Sequence, residues 1–260
     1  MRVLFIGDVV GSPGRRGLRE TMPMLRERHA PDLVVVNGEN SAGGMGITER
    51  TANDLFASGA DVITSGNHVY RHREAYAFID SCERLVRPAN YPSGNPGQGH
   101  TVLEVDGRRV AVINLSGGIG LIVARSPFDA VDAILAGLDA DVALVDFHAE
   151  VSSEKVAMGW HLDGRVAAVF GTHTHVPTAD GRVLPGGTAH ISDVGMTGSR
   201  TSVLGVKPEQ VLRQMIKQMP TRFETASEDV WVMGAVVDVN ERGLADRFEQ
   251  VMVPAPPQSG

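Results

Sequence analysis

The chain reads as an α/β protein whose first half is a series of β-α-β units and whose second half adds antiparallel strands. Three observations predict this. Short apolar runs rich in β-branched residues alternate with helical segments. The runs are almost continuously apolar, as strands buried on both faces should be. Each run ends in a polar cluster, and in such sheets ligands bind beyond the carboxyl ends of the strands.

The elements follow in order. Val3 to Ile6 runs into Gly7-Asp8, and Gly14 to Arg28 reads as an arginine-rich amphipathic helix. Leu33 to Val36 runs into Asn37-Gly38-Glu39-Asn40. Thr48 to Ser58 reads as the next helix, with Thr48 as its N-cap. Val62 to Thr64 leads into Gly66-Asn67-His68, and Arg73 to Ser81 reads as helical. Thr101 to Val105 and Arg109 to Asn114 read as two strands joined at Asp106-Gly107, a hairpin signal. Pro127 to Leu138 is a helix with proline in its first turn. Val142 to Val145 leads into Asp146-Phe147-His148, Ser152 to His161 reads as helix, and Val166 to Phe170 leads into Gly171-Thr172-His173-Thr174-His175. Ala189 to Ile191 is a strand, Pro208 to Met219 a helix, and Val230 to Val239 with Arg247 to Val253 a closing antiparallel pair. Parallel units mixed with hairpins suggest two sheets packed together with helices outside.

The chain's 260 residues are enough for a substantial core. No linker or internal repeat interrupts them, so residues 1–253 read as one domain and 254–260 as a flexible tail. A net charge of −7 argues against broad nucleic-acid binding, which needs a basic face. It still allows a small anionic substrate where metal ions supply local positive charge. The single cysteine, Cys82, excludes an internal disulfide framework and reads as an inert thiol. The opening apolar run is too short for a signal peptide or a membrane span, so the expectation is a soluble, cytoplasmic protein with no membrane contact.

Asp8, Glu39 with Asn40, Asn67 with His68, His148, and His173 with His175 all follow strands and would project from one sheet edge. Singly, each has a plainer explanation. An aspartate after a strand usually caps a helix, and a lone histidine is more often structural. Together they offer the carboxylate and imidazole donors that Mn, Fe or Zn prefer. If the last strand continues, His173 and His175 point to the same side, and they would hold either one metal or one each. Glu39, at the central strand of the first three, is the candidate to bridge two ions. Ions about 3.5–4 Å apart would activate a water between them for in-line attack on phosphorus. His68 is placed to protonate the leaving oxygen, or else to orient Asn67.

Gly7-Asp8, Gly38-Glu39-Asn40, Gly66-Asn67-His68, His148 and Gly171-Thr172-His173-Thr174-His175 resemble, in order and spacing, the calcineurin-like metallophosphoesterases. Details depart from that pattern: Val10 stands where a histidine is usual, Glu39 replaces an aspartate, Val69 replaces an acidic residue, and Thr172 separates glycine from histidine. Gly7-Asp8-Val9-Val10-Gly11, the stretch Asn37 to Gly44, and Ser192 to Gly198 are similar to a branch, the bacterial YmdB-type phosphodiesterases. The resemblance implies a metallophosphoesterase-like four-layer sandwich of two mixed sheets flanked by helices. It implies two divalent metal ions, iron or manganese, and hydrolysis of small phosphodiesters, notably 2′,3′-cyclic nucleotides. It implies Asp8, Glu39, Asn40 and His175 on one ion and Glu39, Asn67, His148 and His173 on the other. Asn40 would replace the histidine missing at Val10, and His68 would be the proton donor.

Candidate substrate contacts are Ser41 and Gly44 beside the glycine-rich loop, Arg71, and Asp193, which has a metal-bound histidine as its other candidate partner. Gly43 to Gly46 reads equally as a plain turn. Asn114 to Gly118 is either a set of backbone donors for phosphate or a tight turn. Arg15, Arg16 and Arg19 read as a solvated helix face. Two other functions compete: a phosphomonoesterase or nucleotidase using the same centre, and a regulatory nucleotide- or protein-binding module with little turnover. A homo-oligomer and a regulatory protein partner stay open.

Overall fold

The computed structural model describes residues 1–257. Among these residues twelve strands form two six-stranded mixed sheets, flanked by helices. In the first sheet β1 (Arg2–Ile6), β2 (Leu33–Asn37) and β3 (Val62–Thr64) run parallel. Strand β11 (Val230–Val239) pairs antiparallel with β1, and also with β10 (Gly198–Ser199) and β12 (Ala245–Pro254). The second sheet runs in the order β4 (His100–Val105), β5 (Arg108–Ser116), β6 (Val142–His148), β7 (Ala168–Thr172), β9 (Ala189–Ile191) and β8 (Arg182–Val183). Its four inner strands are parallel and its two edges antiparallel.

Strand alternation explains the layering. Side chains on a strand point to opposite faces in turn. Val3, Phe5, Leu33 and Val35 face inward and meet Val110, Val112, Leu144 and Phe170 of the second sheet. Phe5 and Phe170 stack with centroids 4.4 Å apart. Leu4, Ile6, Val34 and Val36 face outward onto Leu18, Met22 and Leu25 of α1 (Gly11–His29) and Leu55 of α2 (Glu49–Ala57). Ile113, Val145 and Val169 pack against Ala130 and Val131 of α4 (Pro127–Gly137) and Met158 of α5 (Ser152–His161). The result is the helix, sheet, sheet, helix stack that the resemblance implies. Of the remaining helices, α3 (Tyr76–Ser81) follows a 3-10 turn at Arg73–Ala75, and α6 (Pro208–Lys217) is largely exposed.

Several expected boundaries move. Helix α1 starts three residues before Gly14, because Gly11 takes a left-handed φ of 61° that only glycine adopts freely. Strands β5 and β6 continue through Ser116 and His148, beyond their last aliphatic residues. The two-residue strands β8 and β10 carry too short a pattern to be read from sequence. Thr48 caps α2 as expected, and Thr51 completes a reciprocal capping box. Pro254 closes β12 and the Ala255 N–H bonds the Val230 carbonyl at 2.8 Å, so the segment expected to be a tail begins anchored. Its last residues, 258–260, lie outside the described residues. Among the described residues no helix is long and apolar enough to cross a membrane.

The stacked pair sits at the centre of the inter-sheet core. Phe170→Ala should therefore destabilise the fold by about 3–5 kcal/mol, read as a lower denaturant midpoint. A loss below about 1 kcal/mol would show that the two sheets do not depend on this contact.

Candidate metal centre

The carboxyl ends of β1, β2 and β3 open toward those of β6 and β7, so the site draws on two sheets rather than the single edge expected from sequence. Glu39, His148 and His173 each offer one ligand atom, all within 4.8 Å of one another. Asp8, Asn40, Asn67, His68 and His175 complete the cluster.

Asp8 does not cap the helix that follows, whose N-cap is Val10 with no side-chain cap bond. Its Oδ2 accepts the His173 N–H at 3.1 Å, and its buried Oδ1 has no hydrogen-bond partner. Oδ1 lies 3.7 Å from His175 Nε2 and 3.9 Å from His148 Nδ1. Burial opposes the Asp8 charge, but His175 and His148 hold its carboxyl below the usual range. Glu39 is fully buried, with Oε1 3.2 Å from His148 Nε2 and Oε2 accepting the His68 N–H at 3.0 Å. Burial works against its charge too, and His148 and His68 overcome it, so it lies well below the usual range. Gly66 makes the room: a Cβ there would lie 2.3 Å from the His148 ring and 2.4 Å from Glu39 Oε2.

The histidines are oriented by what their other nitrogens bond. His148 Nδ1 donates to Thr172 Oγ1 at 2.9 Å, because the Thr172 hydroxyl itself donates to Asp146 Oδ1 at 2.7 Å. That turns His148 Nε2 inward, where its N–H meets Asn67 Oδ1 at 3.0 Å. His175 Nδ1 donates to the Leu204 carbonyl at 3.1 Å, so its Nε2 lone pair faces Asn40 Nδ2 at 3.2 Å. His173 Nε2 sits 3.0 Å from Glu150 Oε2, leaving Nδ1 inward, 3.0 Å from His148 Nε2. Without a metal the His148 proton bridges this contact, and a divalent ion displacing it would find both nitrogens aimed at it. Two ligand bonds of about 2.1 Å meeting near a right angle span about this distance. The orphaned Asp8 oxygen and this donor set fit divalent metal ions.

The expected strand alternation of His173 and His175 does not hold. Strand β7 stops at Thr172, because a backbone oxygen of Ser192 lies where any side chain on Gly171 would go. His173 and His175 then both take left-handed φ, 92° and 64°, a strained conformation for non-glycine residues. Asp193 holds the turn by accepting from the Thr174 N–H at 3.1 Å and its hydroxyl at 2.6 Å, while the buried Lys155 neutralises it at 2.9 Å. The two imidazoles diverge, His173 toward His148 and His175 toward Asp8.

Not every expected contact reaches the centre. Asp193 is fully buried and supports the turn, and its charge acts on His175 through space. The Ser41 hydroxyl is buried against Thr51 at 3.1 Å. Gly44 packs toward Thr225, and Arg71 is exposed. The donors after Ser116 are also spoken for: Gly117 N–H bonds the His148 carbonyl at 2.9 Å, and Gly118 N–H bonds Glu154 at 2.7 Å. Arg15 is not on a solvated face; it pairs with Asp54 at 3.1 Å and donates to the Ser41 carbonyl. Sequence reasoning missed Asp146, Thr172 and Glu150 as supports. Asp146 stands two residues before His148, so strand alternation put both on one face, and that spacing was the available signal.

Two outcomes follow from the hydrogen-bond support. Thr172→Val removes the hydroxyl that sets the His148 tautomer and should weaken metal affinity about 10–100-fold in a metal titration, with the fold intact. An unchanged affinity would remove Thr172 from the site's support. Burial opposes a charge on His148, yet Glu39 and Asp8 raise it to about 9, so a proton occupies it until a metal displaces it. Metal affinity should therefore rise as pH increases from about 7 toward 9, about tenfold per unit for one displaced proton. Calorimetry in buffers of different ionisation heat counts that proton, and a flat pH profile would contradict it.

The chain is similar in sequence and fold to known proteins. The chain is 45% identical over 256 residues to the 2′,3′-cyclic-nucleotide 2′-phosphodiesterase of Bacillus subtilis strain 168, covering 97% of each chain. It superposes with a TM-score of 0.93 on a hypothetical protein from Thermus thermophilus, at 41% identity, over 98% of this chain and 100% of that one. It also superposes with a TM-score of 0.93 on a novel phosphatase from Mycoplasma pneumoniae, at 33% identity, over 98% of this chain and 94% of that one. The profile of the YmdB-like protein family matches residues 4–251, and the chain belongs to that family.

Proposed function

We propose that this chain is a dinuclear-metal phosphodiesterase acting on small phosphodiesters, above all 2′,3′-cyclic nucleotides. One observation carries the reading: carboxylate, amide and imidazole donors from two sheets converge with their lone pairs inward, beside a histidine that is not needed as a ligand. The name of the Bacillus subtilis relative supports the substrate class. Residues 1–253 read as one domain, since the inner core draws on both sheets.

Asp8, Glu39, Asn40 and His175 would hold one ion, and Glu39, Asn67, His148 and His173 the other. Iron or manganese suits this set, and zinc is also accepted by it. When bound, the ions supply an activated water and neutralise charge growing on the phosphoryl oxygens.

The chain's own residues do the rest. Asn40 Oδ1 accepts from His68 Nδ1 at 3.0 Å, while Asn40 Nδ2 donates to Glu39 Oε1 at 3.1 Å. One amide thus ties the proton donor to the ligand set and fills the place left by Val10, which packs among glycines away from the centre. With Nδ1 committed, His68 has Nε2 as its remaining proton site on a ring 30% exposed. Hydrolysis exchanges the ester P–O bond for one to a water oxygen: His68 Nε2 would give its proton to the leaving oxygen, and the proton released by the water would restore the histidine. A second reading, phosphomonoesterase, is favoured by the Mycoplasma pneumoniae structure, which is described as a phosphatase. The same centre would serve it with less need of His68.

The test is turnover of 2′,3′-cyclic AMP and of adenosine monophosphates by metal-analysed protein. Asp8→Asn should lose metal and activity together. His68→Ala should keep its metal and lose about 10²–10⁴-fold in kcat on the diester. No diester hydrolysis by wild-type protein carrying two ions would overturn the assignment, and turnover of monoesters alone would establish the second reading.

A further inference from the structure

Beside the metal centre lies a cavity of about 360 Å³ walled by Tyr70, Tyr91, Pro92, Asn95, Ile122 and Val123. That volume falls in the lower part of the range of small-ligand sites, about 300–1,000 Å³. Its lining is almost wholly carbon, and none of the six side chains is charged.

Each wall is tied to the centre. Tyr70 comes two residues after His68, in a loop closed by the Arg71 N–H on the His68 carbonyl at 2.9 Å. Its ring is fixed by the hydroxyl donating to the Pro96 carbonyl at 2.6 Å. Tyr91 follows Asn90, whose side chain bonds both backbone groups of Ser116, at 2.7 and 2.9 Å. Ser116 is the register partner of His148. The third wall is the loop from Gly117 to Arg125. It leaves the His148 carbonyl through Gly117 and returns to the Asn90 carbonyl through Ala124, at 3.0 Å. Between these anchors Gly120 faces Glu150, the residue that meets His173.

One feature of this cavity calls for a ligand. Ile122, at the tip of the loop, is 93% exposed. Joined by Val123, Tyr70 and Tyr91, it belongs to a contiguous apolar patch, the kind of surface that marks a ligand groove. The buried Ser116 hydroxyl lies against the Tyr91 phenol and helps to hold that ring in place. Burial raises the Tyr91 phenol, and the Glu39 charge adds to this, which places the ring within reach of the metal ligands' field.

We infer that this cavity is the subsite for the nucleobase of the substrate, with Ile122 and the tyrosines against the faces of a flat, uncharged heterocycle. It rests on the nucleotide-diester reading. A phosphate seated at the centre would carry its base outward by one ribose, and the loops that bear this apolar wall are anchored on His68 and His148. Tyr70 and Tyr91, with centroids 6.3 Å apart, offer the aromatic surface on which bases stack without sequence preference. Discrimination among bases is accordingly weak.

The test compares wild type with Ile122→Asp, a change at an exposed position that leaves the core untouched. Two substrates serve: 2′,3′-cyclic AMP and methyl riboside 2′,3′-cyclic phosphate, which lacks the base. Ile122→Asp should raise KM for the nucleotide about tenfold, the loss of one base contact, with kcat unchanged and the base-free diester unaffected. Saturation-transfer NMR on adenosine should show the base protons in contact with wild-type protein and not with the variant, whether or not the protein turns over diesters. Equal effects on both substrates, or an adenosine signal that Ile122→Asp leaves intact, would overturn the subsite while leaving the phosphodiesterase reading standing. So would a change of oligomeric state with unaltered adenosine contact, which would give the surface to a second copy of the chain. Wild type inactive on both diesters sinks the phosphodiesterase reading, and the adenosine signal then decides the subsite alone.

Discussion

The buried carboxylate of Asp146 joins the two sheets where the site needs them joined. It accepts from Asn37 Nδ2 at 2.8 Å and from the Thr64 hydroxyl, both in the first sheet, and from the Thr172 hydroxyl in the second. Burial pushes the group up to about 6 even with three donors around it. A buried carboxylate left short of partners is costly, so the three donors are held to their places as firmly as they hold the acid. Thr172 passes that constraint to His148, and Asn37 lies two residues before Glu39. The separation of the two halves of the centre is therefore set one layer below the ligands, in polar contacts between sheets that are otherwise held by aliphatic and aromatic packing.

Much of this was legible in the sequence, for a physical reason. A strand buried on both faces must be apolar along its length, so the first polar residue after it marks the sheet edge. Asp8, Glu39, Asn67, His148 and His173 all stand at such edges, and the structure brings them together. What could not be read was pairing at a distance. Nothing in the order of residues says that β1 to β3 and β6 to β7 belong to different sheets, or that their ends meet. The divergence of His173 and His175 depends on Ser192 lying against Gly171 and on Asp193 beneath Thr174, contacts made by a segment about twenty residues later. Short strands such as β10 owe their existence to neighbours and carry no pattern of their own.

The electrostatics of the site and of the whole chain point the same way. The net charge of −7 offers nothing to attract an anionic ester at long range. Inside the centre, however, two carboxylates are kept ionised in a buried place while His173 is driven down to about 4 by burial and by its neighbour His148. A cluster that holds negative charge and inward lone pairs is matched to a compact cation. The departure of Val10 from the broader superfamily pattern fits the same logic. An amide at Asn40 can serve inward and still bind His68, whereas a histidine in that place would have had only one ring nitrogen to spare.

The candidate ligands come in nearly equal shares from two sheets that otherwise meet through apolar packing. Any ion bound among them is thus also a rivet across the seam. Binding free energy at such a site is folding free energy, because the unfolded chain has no preformed site. The supply of such a metal would then govern how long the molecule lasts as well as how fast it works. In a cell starved of that metal, the same shortage that silences the protein would loosen its sheets and expose it to degradation, so inactive copies would be cleared rather than stored.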